Sequence, residues 1–550
     1  SYNTDGMAHR VKTDLTDKSI RYELAKRQTI FVDYFTDANN QYSKYVWDEQ
    51  GRLVEIENVN MGTSTKFAYD DDNNMVRRED ANGHAYTFTY DQKGNMLSST
   101  DPLGYTEYYT YESTFNKVTS YTDKMGHYYN YRYDEHGDLL QMNGPLNYNN
   151  SFVYNEHGQI TDVTDANGNT THYGYNEFGN VVSMTDPLGY STTMYYNAAG
   201  LPMQKTLPNG SSVSYIFDDD RRLVEIIDAL NNHISIQYDG NGLMIAHSDA
   251  MNNTYHYSYD ALGQITQMTD PLGAKTCFHY SGVLLNAIIN ASNQVTKYMY
   301  NDLNQLSYSV NAVNDTVKFI YDNVGNLISE IFQNGGCLSY QYDELNRIVS
   351  AADRMGAFFV YHYDANGNVI QEENEYGFSE FFSYNALNRL IQHTDALSNS
   401  EFYSYDNVGN MMTYSDYNGN TTTFSYNSKN KILSKTDAKN SIVSYHYNEL
   451  GLVDKEINAN GHQTSYEYDY RGLLQKVILP NGKSRVLWRD GNGNVVMQEN
   501  EAGEQTIISY DALNRLTGLR SVGNSADYSL FSYDNLGNLI QAINQDVFQL

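Results

Sequence analysis

Aromatic residues recur two positions apart along this chain, and each such run ends at a tyrosine: Phe88 and Tyr90, Tyr131 and Tyr133, Phe382 and Tyr384, Tyr466 and Tyr468. Residues two apart on a strand share a face, so each run predicts a strand that puts an aromatic pair on one side of a sheet. Asp or Asn follows the tyrosine. Four residues after it stands glycine, as at Gly94, Gly158, Gly179, Gly263, Gly325, Gly367, Gly409, Gly451 and Gly537, or asparagine, as at Asn304, Asn346, Asn388 and Asn514. These types accept positive φ most readily, which predicts a tight turn between two strands. Two residues further on comes an apolar side chain, such as Met96, Ile160, Val181 or Leu327. A second turn follows, clearest as DPLG at Asp101, Asp186 and Asp270 and as DANG at Asp80 and Asp165. Aspartate first, proline second and glycine fourth is the type I preference.

The unit of two strands and two turns returns every 21 residues or so, a repeat-protein signature. No helical period survives beyond a turn or two, and Thr, Ser and Tyr fill much of the remainder, which suits strands. Residues 1–550 read as one continuous array of about 26 units of roughly 21 residues, with no separate catalytic domain, because repeats extend without starting new cores. That gives roughly 50 strands, too many for a flat open sheet, since twist accumulates and such sheets curl or split. The expected architecture is all-β, a spiralling antiparallel sheet that is hollow or partly open. Four stretches break the pattern: Tyr22 to Trp47 exceeds one unit, Phe217 is followed by Arg221 where glycine is expected, Tyr280 heads SGVLLN, and Trp488 heads a unit with one extra residue. Bulges and insertions at corners of the spiral account for these more simply than binding loops do.

Composition changes this picture in three respects. A mean hydropathy of −0.62 would be poor for a solid globule of 550 residues, whereas 53 tyrosines supply buriable area whose hydroxyls need partners, which favours a thin, partly wetted sheet. The formal net charge of −31 opposes general binding to nucleic acid or an anionic membrane. No apolar stretch is long enough to span a bilayer. The opening residues SYNTDGMAHR resemble the inside of a repeat rather than a signal peptide, and Tyr533 opens a unit that stops at Leu550, so the array reads as a segment of a longer protein. Cys277 and Cys337, near three repeats apart, read as two buried thiols rather than a bridge.

YDNVGNL at Tyr321, YDELNRI at Tyr342, YDALNRL at Tyr510 and YDNLGNL at Tyr533 resemble the YD repeats of the Rhs family, which includes bacterial Rhs and wall-associated polymorphic toxins, the C component of insecticidal toxin complexes, and teneurins. The resemblance covers nearly the whole chain. It implies a spiralling β-shell around a large cavity. It further implies, for the bacterial toxins, a core segment with a DPxGxxxGxxxY-like stretch and self-cleaving aspartates, followed by a variable toxin domain. No such segment follows Tyr533, and the three DPLG copies lie inside ordinary repeats, so no protease residue carries over.

Candidate chemistry is sparse. From Asp364 the oxygens of Asn366, Asn368 and Glu375 mimic positions one, three, five and twelve of an EF-hand loop. That loop demands glycine at position six, where this chain has Val369, with Gly367 two residues early. The same letters are what repeat turns require, so these four remain weak calcium candidates and no cofactor is expected. The 14 histidines show no metal spacing, and nucleophile elbows and phosphate loops are absent. No catalytic residue is assigned. Two classes of function remain. The favoured one is a non-catalytic scaffold of a secreted or cell-surface toxin, enclosing a cargo outside this chain. The other is an extracellular surface that binds carbohydrate or a receptor through exposed tyrosines.

Overall fold

The computed structural model describes residues 21–24, 31–36, 42–524 and 527–544, so the expectations for the first ten residues and for Leu550 lie outside the described residues. Among the described residues the chain forms one antiparallel sheet of 50 strands in which consecutive strands pair. The only helical element there is a 3-10 turn at Pro145–Asn147.

Both turns of the unit have the same construction. Asp91 donates its amide to the Asn95 carbonyl at 2.9 Å and accepts at its own carbonyl from the Gly94 amide at 3.1 Å. Its Oδ1 also accepts from the amides of Lys93 and Asn95. Asp101 repeats this with Tyr105, Gly104 and Leu103. The result is a three-residue hairpin loop, a type I turn followed by one left-handed residue. The aspartate after each tyrosine is therefore a turn cap, like the first residue of DPLG. Gly179 at φ 83° and Gly325 at φ 105° sit where the sequence places the turn, and Asn346 and Asn514 take the same conformation.

On the strand Ala85–Tyr90 the side chains of Tyr86, Phe88 and Tyr90 are half-buried on one face, while Thr87 and Thr89 are exposed on the other. A bulge then shifts the register, so that Thr89 faces Ser98 but Tyr90 faces Met96. The tyrosine of the next unit uses the bulge: Tyr111 donates its hydroxyl to the Met96 carbonyl at 2.8 Å. The same step links Tyr175 to Ile160, Tyr342 to Leu327, Tyr426 to Met411 and Tyr468 to Val453. Each repeat is thus tied to the preceding one through the hydroxyl of its signature residue. Burial pushes the Tyr426 hydroxyl pKa up, with Asp406 adding to it, so the group stays a donor. Tyr426→Phe is expected to lower stability by about 1 kcal/mol, read from a urea midpoint at unchanged slope. No change would mean the hydroxyl bond is energetically idle.

The stretch from Tyr22 to Trp47 lies partly outside the described residues, and the other three breaks in pattern are milder than insertions. Arg221 adopts the left-handed conformation of the missing glycine, at φ 65°. At the second tryptophan the register differs from expectation. Arg489, not Trp488, occupies the tyrosine position, pairs across the bulge with Val495, and sends its Nε to the Leu474 carbonyl at 3.2 Å. No extra residue is present there; the guanidinium replaces the phenol in the link. After Tyr280 the strands Lys275–Ser281 and Leu284–Ile289 are joined by a two-residue turn at Gly282 and Val283. Aromatic ladders are interrupted, because an intervening strand separates the aromatic pairs of neighbouring units. Rings follow one another from strand to strand where that strand is itself aromatic, as in Tyr109, Tyr121 and Tyr129, whose neighbouring rings are tilted by 34° and 33°.

The chain divides into two compact units, one of Ser1–Tyr148, Phe278–Ile288 and Val295–Glu401, the other of Asn149–Cys277, Ile289–Gln294 and Phe402–Leu550. In each, an early layer of the strip lies alongside a later layer of the same strip. Neither contains a filled core. Among the described residues the buried hydrophobic residues are Val46, Ala246 and Ala365, and none of them is fully buried.

Candidate functional site

The turns form two rims along the strip, one carrying the tyrosine-side turns and one carrying the second turns. Within each unit the second-turn rim of the early layer meets the tyrosine-side rim of the later one. In the first unit Asn82 Nδ2 reaches Asp322 Oδ2 at 3.0 Å, and Asn366 Nδ2 reaches Asp123 Oδ2 at 2.7 Å. In the second, Asn167 bonds Asp406 at 2.9 Å, Asn407 bonds the Ala166 carbonyl at 3.1 Å, and Asn492 bonds Asp249 at 2.6 Å. Lys429 pairs with Asp186 at 2.6 Å. Partners in these hydrogen bonds lie 239 to 243 residues apart, so the seam has a constant register.

Electrostatics at the seam follow from this geometry. Burial raises the carboxyl pKa of Asp322, but hydrogen bonds from Asn326 and Asn82 outweigh it and hold the group below its ordinary value. Asp249 and Asp406 show the same balance, with Asn492 and Asn167 among their donors. A carboxylate fits here because it accepts several N–H groups at once without needing a proton.

Two kinds of clasp recur between neighbouring units along the later tyrosine-side rim. In the arginine units, Arg347 bonds Asp343 Oδ2 at 2.7 Å and the Asp364 carbonyl at 3.3 Å, and lies 4.4 Å over the Tyr363 ring. Arg515 does the same with Asp511, Asp534 and Tyr533. In the glycine–asparagine units, Asn326 donates to Asn346 Oδ1 and Asn494 to Asn514 Oδ1, both at 2.7 Å. The acceptors are the left-handed asparagines that replace glycine in the following unit. Asparagine there serves both backbone and neighbour.

The calcium candidates are absorbed into these contacts. Asp364 accepts from the amide and the Nδ2 of Asn368, Asn366 is turned to Asp123 across the seam, and both asparagines donate to Asn388. Glu375 is exposed in the next turn, beyond the strand Val369–Asn374, on the order of 20 Å away along that strand. The structure therefore brings Asp364 and Asn368 together, and Glu375 to neither. Among the described residues no three His, Cys, Asp or Glu side chains converge as a metal site. Chelator is expected to leave the melting midpoint unchanged. Calcium held at a hundredfold its dissociation constant would instead add about 2.7 kcal/mol, and its removal would show as a drop. Cys277 and Cys337 are free and half-buried. In the second unit a groove of ≈ 820 Å³ is lined by Tyr466, Glu467, Tyr468 and Trp488, with Asp454 and Arg489.

Two sequence models match the chain: RHS Repeat over residues 69–106, 154–192, 196–233 and 238–275, and Teneurin YD-shell over 275–436 and 425–496. Together they account for more than half of it. The family these models describe is a YD-repeat shell, a structural scaffold. The chain belongs to the RHS/YD-repeat family. It resembles the TcdB2-TccC3-Cdc42 crystal structure at 14% identity and TM-score 0.63, over 94% of this chain and 32% of that one. TcdB2-TccC3 matches at 13% and 0.60, over 94% and 34%. The Photorhabdus luminescens Tc holotoxin pore matches at 13% and 0.58, over 95% and 35%. The chain spans about a third of the length of these solved chains. No curated protein sequence matches it. No helix among the described residues is long and apolar enough to cross a membrane.

Proposed function

We propose that residues 1–550 form one continuous wall of a hollow scaffold that encloses a toxin or effector cargo encoded outside this chain. The observation that carries this reading is a sheet of 50 strands with no fully buried apolar side chain among the described residues, whose early and later layers are joined by a seam within each unit. Such a wall is held by hydrogen bonds and rim contacts rather than by a core, and leaves space that its own side chains do not fill. The likeness to toxin-complex shells supports the same reading. The scaffold is non-catalytic, binds no cofactor, and works in a secreted or cell-surface protein. A net charge of −31 disfavours nucleic acid as a partner.

Fusing an unstructured, protease-labile polypeptide after Leu550 tests containment. The fused segment is expected to resist protease at concentrations that digest it when free. Digestion at the free rate would contradict enclosure. A second reading, a carbohydrate- or receptor-binding surface, is favoured by the groove around Trp488, where aromatic rings and carboxylates stand together. Saccharide-array binding lost in Trp488→Ala would support it.

A further inference from the structure

Asparagine before glycine is chemically labile, because a following residue without a side chain leaves its own amide nitrogen free to reach the carboxamide carbon. The repeat places this pair at the third and fourth positions of many turns. The letters DGNG occur twice in the second unit and separate the backbone from its surroundings. Gly242 and Gly493 both have positive φ, 85° and 90°, and both donate their amide to the first carbonyl of the turn at 3.1 Å. Asn241 is exposed, and its carboxamide bonds none of the described residues. Asn492 is half-buried: its Nδ2 donates to Asp249 Oδ2 across the seam at 2.6 Å and to Oδ1 of the left-handed Asn514 at 2.9 Å. In the first unit Asn366 divides its Nδ2 in the same way between Asp123 and Asn388, and Asn82 holds Asp322.

We propose that Asn82, Asn366 and Asn492 are latent deamidation sites which the closed seam protects, and that their reaction makes opening of the seam one-way. The inference rests on the seam contacts and needs no cargo. In the reaction the amide nitrogen of Gly493 attacks the side-chain carbon of Asn492, the new C–N bond closes a succinimide, and the carboxamide nitrogen leaves with the displaced proton as ammonia. Water then opens the ring to aspartate or isoaspartate. While the seam is closed, Asp249 and Asn514 hold the carboxamide away from this path. Once it has reacted, position 492 offers only acceptors where Asp249 needs a donor, and two carboxylates at hydrogen-bond distance repel. At Asn241, Asn418 and Asn460, which are exposed, the same product faces water.

Ageing the full chain in mildly alkaline buffer, with and without denaturing urea, tests this by peptide mass spectrometry. The rate of each site in urea supplies its own intrinsic reference. Relative to that reference, Asn82, Asn366 and Asn492 are expected to lose ammonia in the folded chain at least about tenfold more slowly than Asn241, Asn418 and Asn460. On fresh protein, Asn366→Asp with Asn492→Asp is expected to lower the urea midpoint, and Asn241→Asp with Asn460→Asp to leave it unchanged. A seam variant that does not fold is the same loss in full, because the exposed pair carries the identical chemical change. Equal protection of the two groups of sites, a seam variant with the parent's midpoint, or equal losses in both variants overturns the proposal.

Discussion

Gly491→Leu is expected to lower stability by about 1–3 kcal/mol, the usual cost of forcing side-chain volume into a packed contact. A Cβ at Gly491 would stand 2.8 Å from the Ala250 carbonyl oxygen and 3.1 Å from Asn232 Oδ1, across the seam of the second unit. Backbone cannot step aside as a flexible side chain can. The chain supplies its own control. Gly240 occupies the same place in the same letters, DGNG, on the early tyrosine-side rim, and nothing lies within 4 Å of its Cβ position. Neither glycine has positive φ, so leucine brings no backbone strain at either. Gly240→Leu should leave the urea midpoint where it was. Equal effects at both sites would mean that the seam contributes little.

Acid is expected to weaken the structure strongly. The seam carboxyls Asp123, Asp228, Asp249, Asp322 and Asp406 all have folded pKa values below the ordinary one: burial raises each, but donated hydrogen bonds or a nearby arginine prevail. A depressed folded pKa means that the unfolded chain binds the proton more readily. The contribution is therefore complete above the unfolded aspartate value of about 3.9 and is lost as pH falls through the folded values. Relief of self-repulsion in a chain of charge −31 acts in the opposite sense, but salt screens it and does not screen the buried bonds equally. The melting midpoint at moderate salt should change little between pH 7 and 5 and fall steeply below about 4. Asp249→Asn with Asp406→Asn should flatten that fall. A midpoint that rises on acidification would contradict the seam's role.

Much of the local structure was legible from the chain. Gly179, Gly325 and Asn346 announce their turns because few residue types tolerate a left-handed backbone, and Phe88 with Tyr90 announces its face because strands alternate. Arg489 was misread because a register search for aromatics stops at Trp488, one residue early, and does not anticipate a guanidinium taking over a phenol's hydrogen bond. The seam was not legible from a period of roughly 21 residues, since a local repeat does not say which distant unit lies alongside. The calcium resemblance at Asp364 has a related source. Turn capping and cation binding draw on the same oxygens, and only the position of Glu375 beyond a strand separates them.

Small-angle scattering from the purified chain tests most directly the claim that this sheet is a wall around unfilled space. The account predicts a distance distribution shifted to long vectors relative to a solid particle of 62.7 kDa, with an envelope volume well above that of the protein itself. A compact, filled particle, or a straight rod of stacked units without a central void, would contradict it.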